Sequence, residues 1–428
     1  MMSGDIKGNR GESREKLNNG SIGRDQRLRA RREAFGYLLW EPEEDSQFVI
    51  RTEEDLLSNR KIKLKSPRTG KIYEQKDMIF FHNSVKRADI LSGPTYAEIY
   101  PTLNCNERCN FCYIGDKLTP ERVQMSRTLA EKVISGLSAM GVFRVGVLGG
   151  EPFLYDDLIW MIDRLSSEGL VPSLSTNATV HKPEFWKYLI DNMIHVNIPF
   201  HSYISSVHAK IVDNPIAYGK ALSKIREMID GGNLPFVSIV ACKDNVDHVP
   251  ETIEFLLNEG VKHIALYHAQ NTGFTKLKPE NNINFNSYKQ AFLRSLEISK
   301  RYSGTEIRPL TYFPFLLDAG IKYNLDINLS RFLYGTLDGR RSIYIMHDGR
   351  VLASFYDLNG KTYIGNLSEN ALQELWNNSL NLEFIRSLES PKVCNSCEHM
   401  DYCRGGQISN YLRDIPECPI FEPDLLAE

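Results

Sequence analysis

Residues 96–152 read YAEIYPTLNCNERCNFCYIGDKLTPERVQMSRTLAEKVISGLSAMGVFRVGVLGGEP, and this stretch decides the fold. The run Ala97–Leu103 has the length and apolar content of a buried strand, and it runs out into a polar loop holding Cys105, Cys109 and Cys112. The segment SRTLAEKVISGLSAMG then repeats apolar residues at intervals of three and four, as an amphipathic helix does, and stops at glycine. A second strand, Arg144–Leu148, ends in Gly149-Gly150-Glu151-Pro152. Strand, loop, helix and strand in that order form the unit of a parallel sheet.

The unit recurs downstream. Strands are predicted at Pro172–Thr176, His195–Pro199, Phe236–Ala241 and His263–Tyr267, with the helical patterns YDDLIWMIDRLSSEG, PEFWKYLIDN, NPIAYGKALSKIREMIDGG and VPETIEFLLNEG among them. Six β–α repeats predict an α/β fold, a partial (β/α)6 TIM-like barrel with its chemistry at the C-terminal strand ends. An open doubly wound sheet is the alternative that spacing leaves standing. Past a helix at about Phe285–Tyr302 the rhythm breaks. SIYIMHDGRVLASF reads as a hairpin turning at Asp348-Gly349, followed by the helical segments ALQELWNNS and NLEFIRSLES and a cysteine-rich tail. Upstream, the short apolar stretches FGYLLWEP, QFVI and DMIFFH, divided by SPRTGK, predict a small stranded unit. The predicted organisation is a disordered leader over 1–33, an accessory region over 34–95, the barrel over 96–305 and a C-terminal domain over 306–428.

Composition narrows the function. A formal net charge of -3 over 428 residues offers no basic field for nucleic acid, which is not expected as a primary partner. No apolar run reaches the roughly 18 residues that span a bilayer, and the polar N-terminus has no secretory h-region, so no membrane association and a cytoplasmic location are expected. Eight cysteines, strongly clustered in such a chain, point to metal or redox chemistry rather than disulfides.

Cys105, Cys109 and Cys112 have three and two residues between them, a spacing that suits one compact loop around a small inorganic core. Thiolates are the usual ligands of iron–sulfur clusters; three of them leave one iron of a cubane open for another molecule. A structural zinc site completed by a distant ligand is the other reading. The Cys105-x3-Cys109-x2-Cys112 loop with Phe111 before its last cysteine, together with Gly149-Gly150-Glu151-Pro152, resembles the radical S-adenosylmethionine (SAM) superfamily from roughly Tyr96 to Tyr267. The resemblance implies a 4Fe–4S cluster that binds SAM and cleaves it reductively to a 5′-deoxyadenosyl radical. It also implies that the Gly-Gly-Glu segment meets the methionine amino group and that Tyr113 lies against adenine. Two glycines would let backbone approach a ligand, and Glu151 could accept hydrogen bonds from an ammonium. Ser175, Thr176 and Asn177 end the third strand, where the family often places polar contacts to SAM; they are equally ordinary strand-ending residues. His201 at the fourth strand end reads as structural, and Cys242 as a buried free thiol.

Cys394, Cys397, Cys403 and Cys418 can ligate one 4Fe–4S cluster fully, or one zinc. With Asp348-Gly349-Arg350, Ile364-Gly365-Asn366 and Leu375-Trp376-Asn377, they resemble the SPASM/Twitch extension of some radical SAM enzymes. Ser354 and Gln407 stand where a full SPASM domain has cysteines, which leaves ligands for a single auxiliary 4Fe–4S cluster. Relatives of this type mostly modify peptides or proteins. The resemblance therefore implies hydrogen abstraction from a peptide or protein, maturation of a ribosomally made peptide, and a one-electron donor such as flavodoxin or ferredoxin. The accessory region could dock a leader peptide by strand addition or could simply cover the barrel. Two alternatives remain: a radical SAM enzyme acting on a small metabolite or cofactor precursor, and a non-catalytic iron–sulfur or zinc protein.

Overall fold

The computed structural model describes residues 26–34, 36–42, 46–50, 63–65, 71–81, 90–269, 273–274, 279–310, 338–354, 362–388 and 392–397. At the N-terminus, strands β1 (Leu28–Glu33), β2 (Gly36–Glu41), β3 (Ser46–Ile50) and β6 (Met78–Phe81) form a sheet in the order β3-β2-β1-β6, and β4 (Lys63–Lys65) pairs with β5 (Ile72–Glu74) in a separate ribbon. The strand β1 corrects the expected leader, because Leu28, Ala30 and Arg31 within it are all fully buried. Its arginines made it read as a solvated segment. The Arg31 guanidinium instead pairs with Glu33 at 2.7 Å and donates to the carbonyls of Gly93 (2.8 Å), Pro94 (2.7 Å) and Gly141 (3.1 Å). A buried charge with that many partners is tolerated.

The large sheet has the order β13-β12-β11-β10-β9-β8-β7-β14-β15-β16. Its core run is β7 (Tyr96–Tyr100), β8 (Arg144–Val147), β9 (Val171–Ser175), β10 (His195–Pro199), β11 (Phe236–Ala241), β12 (His263–His268) and β13 (Glu306–Leu310), each parallel to its neighbour. Strand order never reverses along this run. A doubly wound sheet requires a reversal, so the partial-barrel architecture is the one present. Its connecting helices are α1 (Arg127–Ala139), α2 (Leu158–Ser167), α3 (Pro183–Asp191), α4 (Ser205–Val212), α5 (Ala217–Asp230), α6 (Val249–Asn258) and α7 (Phe285–Ser299). In α1 the Ser126 side chain caps the first turn by accepting from Leu129 N–H, and Ala130, Val133, Ile134 and Leu137 form the buried stripe. The helix ends before Gly141, whose φ of +63° and lack of a side chain let Phe81 and Arg31 close over it.

The expected break at 305 falls inside a continuous sheet. β13 lies beyond 305 and extends the barrel sheet by a seventh parallel strand. The hairpin β14 (Ser342–Met346) and β15 (Arg350–Leu352), with Gly349 at φ +85°, continues the same sheet: β14 pairs parallel to β7, and β16 (Tyr363–Asn366) adds outside β15. The hairpin thus pairs the backbone groups that an open barrel leaves bare along β7. Helices α8 (Leu372–Asn378) and α9 (Leu380–Ser387) pack on the outside, where buried Trp376 donates from Nε1 to the Leu91 carbonyl at 2.8 Å. Gly365 has φ +145° and lies against Leu375, so Ile364-Gly365-Asn366 and Leu375-Trp376-Asn377 meet as one packing unit.

Candidate active site

The loop after β7 carries Cys105, Cys109 and Cys112, all half-buried. Its backbone is pinned from several sides. The last carbonyls of α4 accept from the loop, Val212 O from Arg108 N–H (3.2 Å) and Ile211 O from Asn110 N–H (2.9 Å). Cys112 O accepts from Phe274 N–H at 2.9 Å, and Gly115 lies so close to the Phe274 ring that no side chain would fit there. Beneath the loop, Cys109 and Phe111 rest on an apolar patch of Ile211, Val212, Ala217 and Cys242. Helix termini normally leave such carbonyls unmet; here they fix the ligand loop.

Burial pushes the Cys105 thiol up to about 12 and the Cys112 thiol up to about 11, and holds Cys109 well above the usual thiol range. These thiols are protonated until a metal displaces the protons. Among the described residues no three metal-binding side chains converge on a single-ion position. The three thiols nevertheless act on one another electrostatically. A cubane takes each thiolate at a different iron, so its ligands stand farther apart than those of one ion, and an all-thiol donor set suits iron–sulfur chemistry. The donor set fits the cluster.

The loop after β8 is zipped to the cysteine loop. Gly150 N–H donates to Thr102 O at 2.9 Å, and Glu151 N–H donates to Asn104 O at 2.8 Å. A Cβ on Gly149, at φ +131°, would stand 2.3 Å from Thr102 O, and one on Gly150 would stand 2.0 Å from Asn104 O. The bare faces of Gly149 and Gly150 are filled by the backbone of residues 102–104, and the turn they open brings Glu151 near Cys105.

Glu151 is 1% exposed and accepts from Thr176 Oγ1 (2.6 Å), Asn177 N–H (2.8 Å) and Phe153 N–H (2.9 Å). Pro152 opens the short turn that presents the Phe153 amide. Burial pushes the Glu151 carboxyl up to about 7, against the pull of these donors. Three of about four acceptor positions on the carboxylate are filled by the chain itself. Thr176, expected to touch SAM, is 2% exposed and gives its hydroxyl to Glu151; its position makes it a support for that carboxylate. Asn177 Nδ2 donates to Asn106 Oδ1 (3.0 Å) and its Oδ1 accepts from Thr179, tying the third strand end to the cysteine loop. Ser175 Oγ accepts from Asn197 Nδ2 at 2.9 Å, and Asn197 Nδ2 also reaches Ser238 Oγ at 3.1 Å.

Several residues the sequence did not single out belong to this assembly. Glu107 sits inside the cysteine loop, 4% exposed, accepts from Asn214 Nδ2 at 3.0 Å, and is pushed by burial up to about 8. An acidic residue between two thiols was a visible signal, but its burial was not. Glu98, on β7, accepts from the hydroxyls of Tyr96 and Tyr100 inside the barrel. His201 is 1% exposed, accepts from Val240 N–H at 3.2 Å, meets the Phe111 ring edge-on at 4.7 Å and is held well below the usual imidazole range by burial, so it is structural as expected. Cys242 is fully buried, with burial pushing its thiol up to about 11.

In the C-terminal region Cys394 is buried, Cys397 is half-buried, and Cys397 N–H donates to Cys394 O at 3.0 Å in a tight turn. Cys403, Gln407 and Cys418 lie outside the described residues. Ser354 is 1% exposed and hydrogen-bonds Asp338, a carboxyl that burial pushes up to about 6 and that also accepts from Tyr344 at 3.0 Å.

The chain is similar to known proteins over both of its cysteine-bearing regions. The radical SAM superfamily model matches residues 99–267, and the model of the SPASM iron–sulfur cluster-binding domain matches residues 337–398. Mycofactocin maturase MftC of Mycolicibacterium smegmatis is 24% identical over 319 residues, 71% of this chain and 76% of that protein. A probable GTP 3′,8-cyclase of Sulfurisphaera tokodaii is 28% identical over 220 residues, 49% of this chain and 65% of that protein. The fold is shared with Streptococcus suis SuiB bound to S-adenosylmethionine, at a TM-score of 0.72 and 18% identity, over 92% of this chain and 97% of that one. SuiB bound to its precursor peptide SuiA aligns over the same shares at a TM-score of 0.70. Among the described residues no helix is long and apolar enough to cross a membrane.

Proposed function

This chain belongs to the radical SAM superfamily and carries a SPASM iron–sulfur domain behind its barrel, and on that premise we propose that it is a maturase for a ribosomally synthesised peptide. A 4Fe–4S cluster held by these residues would supply the one-electron reduction that cleaves bound SAM to methionine and a 5′-deoxyadenosyl radical able to take hydrogen from a peptide. Cys105, Cys109 and Cys112 hold the cluster, and no fourth ligand comes from their loop. Glu151 receives the SAM ammonium at its remaining acceptor position, already oriented by Thr176, Asn177 and Phe153. Tyr113 would wall the adenine, with Asn177 tied to the same loop through Asn106. The observation that supports this reading is the backbone zipper between residues 102–104 and 150–151, which brings the Glu151 carboxylate close enough to act on the Cys105 thiol.

A peptide substrate is supported by the maturase relative and by the shared fold with a protein that binds a precursor peptide. The edge strand β3 of the N-terminal sheet is where a leader would add. That sheet rests on the turn between α1 and β8, through Arg31 and Phe81, at the end of the barrel opposite the cysteines. A leader bound there leaves the core peptide to run along the barrel wall to the mouth. Cys394, Cys397, Cys403 and Cys418 hold one auxiliary 4Fe–4S cluster; Ser354, committed to Asp338, supplies no ligand for a second. A flavodoxin or ferredoxin delivers the electron.

A second reading, action on a nucleotide or another small molecule, is favoured by the cyclase relative. Anaerobic protein reduced in the presence of SAM should release 5′-deoxyadenosine and methionine, and the rate should rise with a candidate precursor peptide. Release that responds to GTP and not to peptide would overturn the maturase reading. No release from protein with verified clusters would overturn both.

A further inference from the structure

A line of hydroxyl groups runs from the cysteine loop down into the barrel. Tyr113, directly after Cys112, shares a 2.6 Å hydrogen bond with Tyr100 through their phenol oxygens. The Tyr100 hydroxyl donates to Glu98 Oε2, and the Tyr96 hydroxyl donates to Glu98 Oε1 at 3.0 Å. Tyr96, Glu98 and Tyr100 alternate along β7 and share one face, while Ala97 and Ile99 turn to the packed core on the other. In register, Glu98 stands between Gly146 on β8 and Tyr344 on β14. A side chain at Gly146 would come within 2.5 Å of the Tyr96 hydroxyl, so the missing Cβ leaves this line its space.

Proton counting gives the line a direction. A phenol has one proton; where that of Tyr100 goes to the Glu98 carboxylate, Tyr113 is the donor in the 2.6 Å bond, in which either oxygen can donate. The Tyr113 ring is thereby held at its far end by a fully buried tyrosine, with Leu103, Ile114 and Met346 packed about it.

We propose that Glu98, acting through Tyr100, is a positioning residue that fixes the Tyr113 ring as a wall of the pocket for the adenosyl group of SAM. The inference rests on the SAM-binding reading above and extends it from the mouth of the barrel to a carboxylate in its interior. It assigns a use to a half-buried acid that, among the described residues, hydrogen-bonds tyrosines and no cysteine.

The test uses the full chain, anaerobically reconstituted with iron and sulfide, in four forms besides wild type: Tyr113→Phe, Tyr100→Phe, Glu98→Gln and the double Tyr100→Phe/Tyr113→Phe variant. Iron content and thermal midpoint are compared first. The SAM dissociation constant is then measured by equilibrium dialysis, and the reduced cluster is examined by EPR with and without SAM. Each phenylalanine variant should keep wild-type iron and weaken SAM binding about tenfold, with an altered SAM-dependent EPR signal. The double variant should be no weaker than either single one, because both break the same line. Glu98→Gln, whose amide can still accept from Tyr100, should fall between these and wild type. Phenylalanine variants that bind SAM within about twofold of wild type, or whose losses add in the double variant, would overturn the proposal. Should Glu98→Gln lose its iron, Tyr113→Phe still decides, since it removes a single oxygen. A wild-type protein that fails to bind SAM sinks the underlying reading instead.

Discussion

The hydroxyl of Thr176 donates to the Glu151 carboxylate at 2.6 Å, and both groups lie out of contact with solvent. A strand-end residue therefore acts on the candidate ammonium site through another side chain. Thr176→Val keeps the shape and removes the donor, leaving a buried carboxylate short of one partner. A hydrogen bond to a charged group contributes about 1.5–3 kcal/mol, so SAM affinity at pH 7 should fall by at least about tenfold. Calorimetric titration of the reconstituted protein with SAM checks this.

The pH dependence of SAM binding follows from the same carboxyl. Burial raises it to about 7, so it is largely neutral below that pH in the free protein. An ammonium ligand favours the ionised form, and binding in acid must therefore expel a proton. Affinity should be flat above pH 8 and weaken below 7, approaching about tenfold per pH unit. Glu151→Gln should bind weakly and lose the slope. A slope unchanged in that variant would assign the titration elsewhere.

Gly150→Ala places a methyl group 2.0 Å from the Asn104 carbonyl, an overlap with backbone that no side-chain rotation relieves. The two loops must part, and the Glu151 N–H bond to Asn104 is lost with them. SAM-dependent production of 5′-deoxyadenosine should fall by about a hundredfold or more, since a 1 Å misplacement alone can cost that much. Iron retention should show that the cysteines still load.

The N-terminal sheet should come loose when Arg31 is removed. Arg31→Ala strands the Glu33 carboxylate and the carbonyls of Gly93, Pro94 and Gly141, and breaking a buried pair in this way costs about 3–5 kcal/mol. Limited proteolysis should release the N-terminal unit before the barrel, whereas wild type should resist. Arg31→Lys should rescue only in part, because an ammonium cannot reproduce the guanidinium fork.

The two cysteine sets should separate by phenotype. Cys109→Ala should abolish SAM cleavage. Cys394→Ala should retain some cleavage while losing product formation and lowering iron from about eight to about four atoms per chain. Iron analysis and chromatography of 5′-deoxyadenosine check both, and a Cys109→Ala protein with full turnover would refute the first assignment.

By itself the sequence determined the parallel strands and the ligand loop. The predicted strand at His195–Pro199 is β10 to the residue, and Phe236–Ala241 is β11, because a run too short for a helix, rich in β-branched residues and bounded by turns, reads as a buried strand. Cysteine spacing is equally local, and so is the Gly-Gly-Glu turn. Tertiary structure alone decided what those residues face. LRARRE reads as a solvated segment until Arg31 meets carbonyls 62 and more residues away. That the bare sides of Gly149 and Gly150 face the backbone of residues 102–104 is visible only in the fold. Thr176 and Glu98 carry no motif, and their roles arise from the register that sets one strand against the next. Periodicity is written in neighbouring residues, whereas burial and hydrogen-bond partners across a sheet are settled only when distant segments pack.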